Sequence, residues 1–256
     1  MDVSSMMQDG NNTKLLAIGG SGKLGKYCII KWINEGLVKN VWNFDINELS
    51  NNNVFNITEN ILEENGYKLL SSVLRKEKPT KVIIFAGYDF PRTKNCINFN
   101  SPYSTSKIDS LRAWEINCVL PLLILKCIND NQYKNISLTL IGSLYGDRLP
   151  KENLYADDGS LYKPVVYGMC KSALEYLNKQ ASITMAKVDG RCNLLRFGGI
   201  DTNIDDEFKK RYANLSPSNN MVSLQSVYQA LTFVGINNIK DLNGAIIDLD
   251  SGMRHT

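Results

Sequence analysis

The sequence predicts an α/β domain with a doubly wound, mostly parallel sheet of about seven strands and helices on both faces. Short apolar, β-branched runs alternate with longer segments of helical spacing, which is typical of parallel strands joined by crossover helices. The apolar runs are continuous, as in strands that are buried on both faces. At 256 residues, with no repeat or linker, residues 14–256 are predicted to form one domain.

The predicted elements follow each other regularly along the chain. Strands are predicted at 15–18, 41–44, 81–86, 136–141, 193–197 and 245–249, and helices at 24–35, 61–76, 111–129, 165–188 and 222–236. Longer loops at 88–109, 144–163 and 201–220 follow carboxyl ends of strands, where open α/β sheets bind ligands. Residues 1–13 are polar and are predicted to be a disordered lead-in.

Composition limits the classes of function. With 43% hydrophobic residues, 21% charged residues and a net charge of +3, the chain gives no reason to expect binding to nucleic acid or a membrane surface. No apolar run is long enough to span a bilayer, and the polar N-terminus does not resemble a secretion signal. The six cysteines form no CxxC pair, so we expect free thiols in a reducing, cytoplasmic compartment.

The single histidine limits the chemistry. Because His255 lies next to the C-terminus, a Ser-His-Asp or Cys-His mechanism is excluded, and no metal site is predicted. Acid–base catalysis would therefore use another side chain.

A glycine turn is the first candidate binding feature. Gly19, Gly22 and Gly25 lie between the first predicted strand and helix, where glycine lets a pyrophosphate approach the backbone at the start of the helix. Asp45 follows the second strand, where a carboxylate binds ribose hydroxyls in dinucleotide-binding folds. These features predict a Rossmann-like dinucleotide site; the alternative is a glycine-rich turn without a ligand.

A tyrosine and a lysine are the candidate catalytic pair. Tyr167 and Lys171 are four residues apart in a predicted helix, so their side chains share one face, and an ammonium near a phenol lowers its pKa. Pro164 suits the first helical turn, and Ser143 follows a strand at the same edge, where its hydroxyl would bind a substrate oxygen. The alternative is an exposed tyrosine beside a solvated lysine.

Asn117 is a further candidate. Pro121 has no N–H, so the carbonyl group of Asn117 loses its helical partner and is free to hold a water molecule that passes protons to the lysine. The alternative is an ordinary proline kink.

From residues 14 to 253 the sequence resembles the short-chain dehydrogenases/reductases. The resemblance rests on the glycine turn, Asp45, 85–87, Asn117, Ser143, Tyr167, Lys171, 196–202 and 243–250. It implies that Tyr167 is the general acid/base and that Lys171 lowers its pKa and binds the nicotinamide ribose. It also implies that Ser143 positions the reacting oxygen and that Asn117 supports a proton relay.

The same resemblance implies a nicotinamide cofactor. Asp45 would repel a 2′-phosphate, so NAD is favoured over NADP, although Lys23 could partly compensate. The residues expected to bind the cofactor are Gly19, Ser21, Gly22, Lys23, Leu24, Gly25, Asp45, Asn56, Ile57, Ala86, Gly87, Tyr167, Lys171, Gly198, Ile200 and Thr202.

The expected reaction interconverts a secondary alcohol and a ketone. The expected cleft lining is polar and includes Arg92, Arg148, Asp205, Asp206 and Lys209, which suits a sugar or nucleotide sugar. The segment from 199 to 212 is also similar to bacterial dehydrogenases of surface-sugar pathways, including those of nonulosonic sugars. The alternatives are a non-catalytic NAD-binding sensor, or an epimerase or dehydratase that uses the same tyrosine.

Self-association is expected as well. In the family, the helices that carry Asn117 and Tyr167 pair across a dimer interface. Apolar residues on these helices therefore predict a homodimer or homotetramer; the residues are Leu122, Leu125, Leu174 and Leu177.

Overall fold

Seven parallel strands form one sheet in the order β3-β2-β1-β4-β5-β6-β7 in the computed structural model, which describes residues 13–90, 101–151, 154–155 and 163–256. The strands are β1 (Lys14–Ile18), β2 (Asn40–Phe44), β3 (Val54–Ile57), β4 (Lys81–Ile84), β5 (Ser137–Ser143), β6 (Arg191–Phe197) and β7 (Ile246–Leu249). This confirms the predicted doubly wound sheet. The chain reverses its direction across the sheet between β1 and β4, which opens a crevice at their carboxyl ends.

Seven α-helices accompany the sheet in the described ranges. They are α1 (Lys23–Asn34), α2 (Glu64–Glu77), α3 (Lys107–Trp114), α4 (Leu120–Asp130), α5 (Val165–Ala186), α6 (Asp206–Leu215) and α7 (Leu224–Leu231). Two π-helical segments, Glu115–Val119 and Thr232–Ile236, continue α3 and α7. Within this part of the chain, no helix is both long and apolar enough to cross a membrane.

The strands bury side chains on both faces of the sheet. In β1, Leu16 and Ile18 pack on the face covered by α2, α4 and α5, whereas Leu15 and Ala17 pack on the face covered by α1 and α7. The alternation follows from the two-residue repeat of a strand. Both faces are apolar, which explains the continuous apolar runs in the sequence.

Two elements were not predicted from the sequence. Strand β3 has four residues at the sheet edge, and its exposed Phe55 stacks on Trp42 at a centroid distance of 5.3 Å. Helix α6 lies where a loop at 201–220 was predicted. Its sequence is mostly polar, and it is held by the Asp205 cap, which accepts from the Phe208 N–H at 2.8 Å, and by burial of Phe208 and Tyr212.

The predicted helix at 111–129 is also different in the structure. It begins earlier, at Lys107, and a π-helical segment separates α3 from α4. The Leu120 N–H donates to the Glu115 carbonyl group across this segment, and Pro121 follows in the first turn of α4. A proline without an N–H fits here because a π-helical turn changes the hydrogen-bond ladder.

The prediction of which leucines lie at a subunit interface is mostly wrong. Leu125 and Leu174 are buried in the core of their own chain, and Leu177 packs against that core. Only Leu122, which is 52% exposed, faces outward. Helical spacing alone did not separate the core face of each helix from its outer face.

Five cysteines are free thiols, and four of them are buried: Cys28, Cys127, Cys170 and Cys192, with Cys118 partly buried. Cys96 and residues 1–12 of the predicted lead-in lie outside the described residues.

Candidate active site

The glycine turn joins β1 to α1 and lies against two neighbouring strands. Gly19 has φ +78°, and its N–H donates to the Phe44 carbonyl group at 2.7 Å. A Cβ atom at Gly19 would lie 2.5 Å from the Ala86 main-chain nitrogen, so no side chain fits there. The turn is therefore fixed by β2 and by the segment that follows β4.

Gly22 and Gly25 have different local roles. A Cβ atom at Gly25 would lie 2.5 Å from the Gly20 carbonyl oxygen, so this glycine lets α1 pack on the turn. A Cβ atom at Gly22 would meet nothing closer than the Gly19 oxygen at 3.5 Å. Gly22 caps α1 without a side-chain hydrogen bond, which leaves the N–H groups at the start of the helix open to an anion.

Asp45 lies beside this turn at the end of β2. Its carboxylate accepts from the Ser21 N–H at 2.9 Å and from the Asn47 N–H at 3.0 Å. The Ser21 hydroxyl donates to the Asn47 carbonyl group at 2.6 Å. The carboxylate is thus held next to the glycine turn.

Asn56 supports the loop after β2. Its side-chain oxygen accepts from the Leu49 N–H at 3.0 Å, and its NH₂ group donates to the Leu49 oxygen at 3.1 Å. Asn43 donates to the same side-chain oxygen of Asn56 at 3.2 Å. These bonds give Asn56 a structural role, and its contact with an adenine stays a prediction, as does that of Ile57.

Lys23 reaches across to the segment after β6. Its ammonium donates to the Thr202 carbonyl group at 2.9 Å, which joins the glycine turn to the segment that contains Gly198 and Ile200. The partial compensation of Asp45 by Lys23 that the sequence allowed stays a prediction.

Tyr167 and Lys171 lie on α5, one turn apart. Lys171 is only 5% exposed, its ammonium donates to the Ile141 carbonyl group at 3.0 Å, and it lies 5.7 Å from the centroid of the Tyr167 ring. Burial lowers the pKa of Lys171 to about 8, and nearby Asp89 opposes that change. The pair is therefore a buried amine beside a phenol rather than two solvated side chains.

Ser143 is the last residue of β5. Its hydroxyl oxygen accepts from the Tyr145 N–H at 3.3 Å, so its own hydrogen stays available to donate. The Tyr145 ring lies edge-on to the Tyr167 ring at 6.4 Å, and the Tyr155 hydroxyl donates to the Tyr145 hydroxyl at 2.8 Å.

Asn117 lies in the π-helical segment and clamps the loop after β4. Its side-chain oxygen accepts from the Tyr88 N–H at 3.3 Å, and its NH₂ group donates to the carbonyl groups of Tyr88 at 3.0 Å and Ala113 at 2.9 Å. A Cβ atom at Gly87 would lie 3.4 Å from the Asn117 side-chain oxygen and 3.7 Å from the Lys171 ammonium, so both groups meet at Gly87. The predicted water relay is untested by these contacts.

One cleft of about 720 Å³ lies at the carboxyl edge of the sheet, and Gly19, Gly22, Gly25 and Asp45 are not among the residues that line it. Its lining includes all four candidate catalytic residues, together with Leu24, Gly87, Gly198, Ile200 and Thr202. Ser143 and Asn117 are distant in the sequence from Tyr167 and Lys171. The fold nevertheless brings all four to one edge of the sheet.

The expected polar lining is partly wrong. Arg148 lines the cleft, but Asp205, Asp206 and Lys209 do not. Asp205 instead caps α6, and Lys209 pairs with Asp201 at 3.0 Å. Instead, α6 turns its apolar side chains inward, because a helix replaced the predicted loop. Arg92 lies outside the described residues. The apolar and aromatic part of the lining includes Leu144, Tyr145, Ile204, Phe208, Tyr212 and Met253.

Arg196 anchors the segment that carries Tyr145. It is 5% exposed and pairs with Asp147 at 2.8 Å, Asp248 at 3.1 Å and Glu175 at 3.2 Å. Arg254 pairs with Asp147 at 2.6 Å, so the C-terminal turn joins the same network. Sequence reasoning missed this network because its members come from β6, α5, β7 and two turns.

Lys163 and Asp89 are two further cleft residues that the sequence did not single out. Lys163 is 7% exposed, its ammonium pairs with the Asp89 carboxylate, and it lies 4.2 Å from the centroid of the Tyr167 ring. The partners are 74 residues apart, and no local motif links them.

Several solved structures of dehydrogenases have a similar architecture. A short-chain dehydrogenase from Leptospira borgpetersenii with bound NAD+ is 18% identical with a TM-score of 0.82, over 99% of this chain and 96% of that one. An aldohexose dehydrogenase from Thermoplasma acidophilum is 15% identical with a TM-score of 0.78, over 98% and 97%. ElxO with NADP bound is 14% identical with a TM-score of 0.75, over 96% and 100%.

No family model and no curated protein sequence matches this chain. The structural likeness therefore establishes the fold: this chain has the doubly wound fold of the short-chain dehydrogenases, across almost its whole length.

Proposed function

We propose that this chain is a short-chain dehydrogenase/reductase that interconverts a secondary alcohol and a ketone with NAD. The observation that carries the proposal is the convergence of Tyr167, Lys171, Ser143 and Asn117 in one cleft beside the glycine turn. A phenol, a buried amine and a hydroxyl at one edge of a sheet form a set that moves a proton at a carbonyl oxygen.

Each side chain has a role at the substrate oxygen. Tyr167 gives its proton to a ketone oxygen, or takes one from an alcohol, and Ser143 donates a hydrogen bond to the same oxygen. Lys171 in its charged form favours the phenolate of Tyr167. Asn117 holds the main chain of Tyr88 next to Lys171. When bound, the nicotinamide supplies the hydride donor or acceptor.

The residues around the glycine turn fit a dinucleotide. The uncapped start of α1 at Gly22 is suited to a pyrophosphate, and the fixed Asp45 carboxylate is suited to two ribose hydroxyls. A 2′-phosphate would meet the negative charge of Asp45 without help from Lys23, which is bonded to Thr202. These contacts support NAD over NADP. The Leptospira neighbour contains NAD+ and ElxO contains NADP, so the neighbours alone do not select one.

The cleft supports a small polar substrate with a ring. Arg148 and Lys151 supply charge, while Tyr145, Tyr155 and Phe208 supply flat apolar surfaces on which a sugar ring stacks. One structural neighbour is an aldohexose dehydrogenase. We therefore keep a sugar or nucleotide sugar as the proposed substrate class, with the bacterial surface-sugar pathways as the proposed setting.

The test is Tyr167→Phe, which removes the proton and keeps the ring. We expect turnover with NAD and a panel of aldoses, ketoses and nucleotide sugars to fall by about 10²-fold or more, because general acid–base catalysis is lost. NAD binding, measured by calorimetry, should stay within about twofold.

The matched control is Tyr176→Phe on the outer face of the same helix, where the side chain is 72% exposed. It should leave turnover unchanged. Full activity in Tyr167→Phe would refute the proposed mechanism, and biological function without turnover would favour the sensor. Return of the hydride, with no net NADH, would favour an epimerase or dehydratase.

A further inference from the structure

A second ammonium lies against the candidate catalytic tyrosine. Lys163 precedes α5, is 7% exposed and lies 4.2 Å from the centroid of the Tyr167 ring, closer than Lys171 at 5.7 Å. Its charge is paired with Asp89, whose side chain is 58% exposed. In this ion pair, Lys163 is buried against the Tyr167 ring and Asp89 is exposed to solvent.

In the described part of the chain, Lys163 and Lys171 are the two lysines whose ammonium groups lie over the Tyr167 ring. Other neighbours of Tyr167 are aromatic side chains and cysteines. The Tyr145 ring, in the segment after β5, lies against the Tyr167 ring, and the Tyr155 hydroxyl donates to the Tyr145 hydroxyl. Tyr88, in the loop after β4, belongs to the same apolar cluster as Tyr167. The Arg112 guanidinium lies over the Tyr88 ring, at 5.3 Å from its centroid. Cys170 and Cys118 pack from α5 and the π-helical segment. Among the described residues, the Asp89 carboxylate pairs with Lys163 and also acts on the charge of Lys171.

We propose that Lys163 is a second positioning residue of the site, whose ammonium stabilises the phenolate of Tyr167, and that Asp89 weakens this effect by holding the same ammonium. The proposal rests on the proposed function of Tyr167 as acid and base. An ammonium over a ring favours the anionic form because the phenolate charge spreads into the ring, and an opposite charge within about 4–6 Å lowers a pKa by about 1–3 units.

The buried amine of Lys171 explains why a second cation would be useful. Its pKa is lowered to about 8 by burial, opposed by Asp89 and reinforced by Lys163. Lys171 therefore loses its charge as the pH rises through about 8, the range in which a dehydrogenase tyrosine would work. Lys163 places a second amine at the ring, 4.2 Å from its centroid and paired with the Asp89 carboxylate.

The experiment measures the ionisation of Tyr167 directly, without a substrate. Tyrosinate absorbance near 295 nm is followed from pH 6 to 11 in the wild-type protein and in Tyr167→Phe, and their difference gives the midpoint of Tyr167. Lys163→Met should raise this midpoint by about one unit, and Lys163→Arg should restore it because the charge returns.

Two further variants complete the design. Lys179→Met removes a positive charge from the exposed side of α5 and should leave the midpoint unchanged. Asp89→Asn keeps Lys163 but removes the carboxylate, and it should lower the midpoint. Because Asp89 is largely exposed, this arm does not depend on a variant of a buried residue being able to fold.

An unchanged midpoint in folded Lys163→Met, or a midpoint that stays or rises in Asp89→Asn, overturns the inference. These outcomes are separate from failure of the proposed function. If Tyr167→Phe loses turnover while Lys163→Met leaves the Tyr167 midpoint unchanged, the proposed function is supported and the proposed role of Lys163 is refuted. If Tyr167→Phe keeps turnover, the function fails whatever the titration shows.

Discussion

Burial of Lys171 in the cleft carries an electrostatic cost. It donates one hydrogen bond to the Ile141 carbonyl group while it is almost fully buried, and burial lowers its pKa from 10.5 to about 8. Between these values the unfolded chain binds a proton that the folded chain does not. The free energy of unfolding therefore gains a contribution that rises with pH from about 8 to 10.5 and is flat below about 8.

A prediction at the scale of this residue follows. For the protein without ligand, the unfolding free energy of wild type minus that of Lys171→Met should be about 2 kcal/mol greater at pH 9.5 than at pH 7. Urea denaturation at both pH values measures the difference. A difference that stays constant, or that falls with pH, would show that the lysine is not held in its neutral form by burial.

Residue spacing predicted more of the site than residue chemistry did. Tyr167 and Lys171 were found because four residues make one helical turn, and Ser143 was found because it ends a strand. Lys163 and Asp89 were missed because only the fold brings them together. For Asn117 the structure adds side-chain hydrogen bonds to the main chain of Tyr88 and Ala113, while a water molecule at its carbonyl group stays a prediction.

The turn between β1 and α1 shows two uses of glycine within one element. Gly25 is required by the fold, because a Cβ atom would meet the Gly20 oxygen at 2.5 Å, whereas a Cβ atom at Gly22 has room. Gly22 also has φ −64°, which any residue adopts. Packing therefore does not require glycine at this position, and we propose that a pyrophosphate at the helix start does.

A pair of substitutions separates these roles. Gly25→Ala should lower the free energy of unfolding by about 1–3 kcal/mol through overpacking. Gly22→Ala should leave it within about 0.5 kcal/mol and weaken NAD binding by about tenfold or more, because the methyl group lies where the pyrophosphate would approach. Thermal unfolding and calorimetry measure the two effects. Undiminished NAD binding by Gly22→Ala would place the dinucleotide elsewhere.

Strands and helices with a clear hydrophobic pattern were predicted from the sequence. Those stabilised mainly by a few tertiary contacts were not. Strands β1, β2 and β4 have apolar runs, whereas β3 is short and half exposed at an edge. Helix α6 is mostly polar, and only its two buried aromatic residues and its aspartate cap fix it. A hydrophobic period cannot reveal such a helix, because most of its residues face solvent.

At the scale of the whole molecule, α5 carries an uncovered apolar stripe. Met169, Tyr176 and Ile183 are 55%, 72% and 61% exposed, and their seven-residue spacing places them on one face of the helix. Leu122 on α4 and Trp114 on α3 are also exposed. We propose that this surface, rather than Leu125 and Leu174, joins the chain to a second copy.

The stripe gives a prediction about assembly. Light scattering should show a homodimer or homotetramer, and the double variant Tyr176→Asp and Ile183→Asp should be smaller in mass with unchanged circular dichroism, because two charges would be buried without partners. Leu69→Asp, on the exposed side of α2, is the control and should keep the wild-type mass. A wild-type monomer would refute the proposed assembly.

The central claim is that the cleft seats a nicotinamide dinucleotide with its reactive ring at Tyr167. A crystal structure of the NAD complex tests this most directly. We predict the adenosine ribose on Asp45, the pyrophosphate at Gly22 and the nicotinamide ring beside Tyr167 and Lys171. A nucleotide bound away from Tyr167, or a glycine turn that stays empty at saturating NAD, would contradict the account.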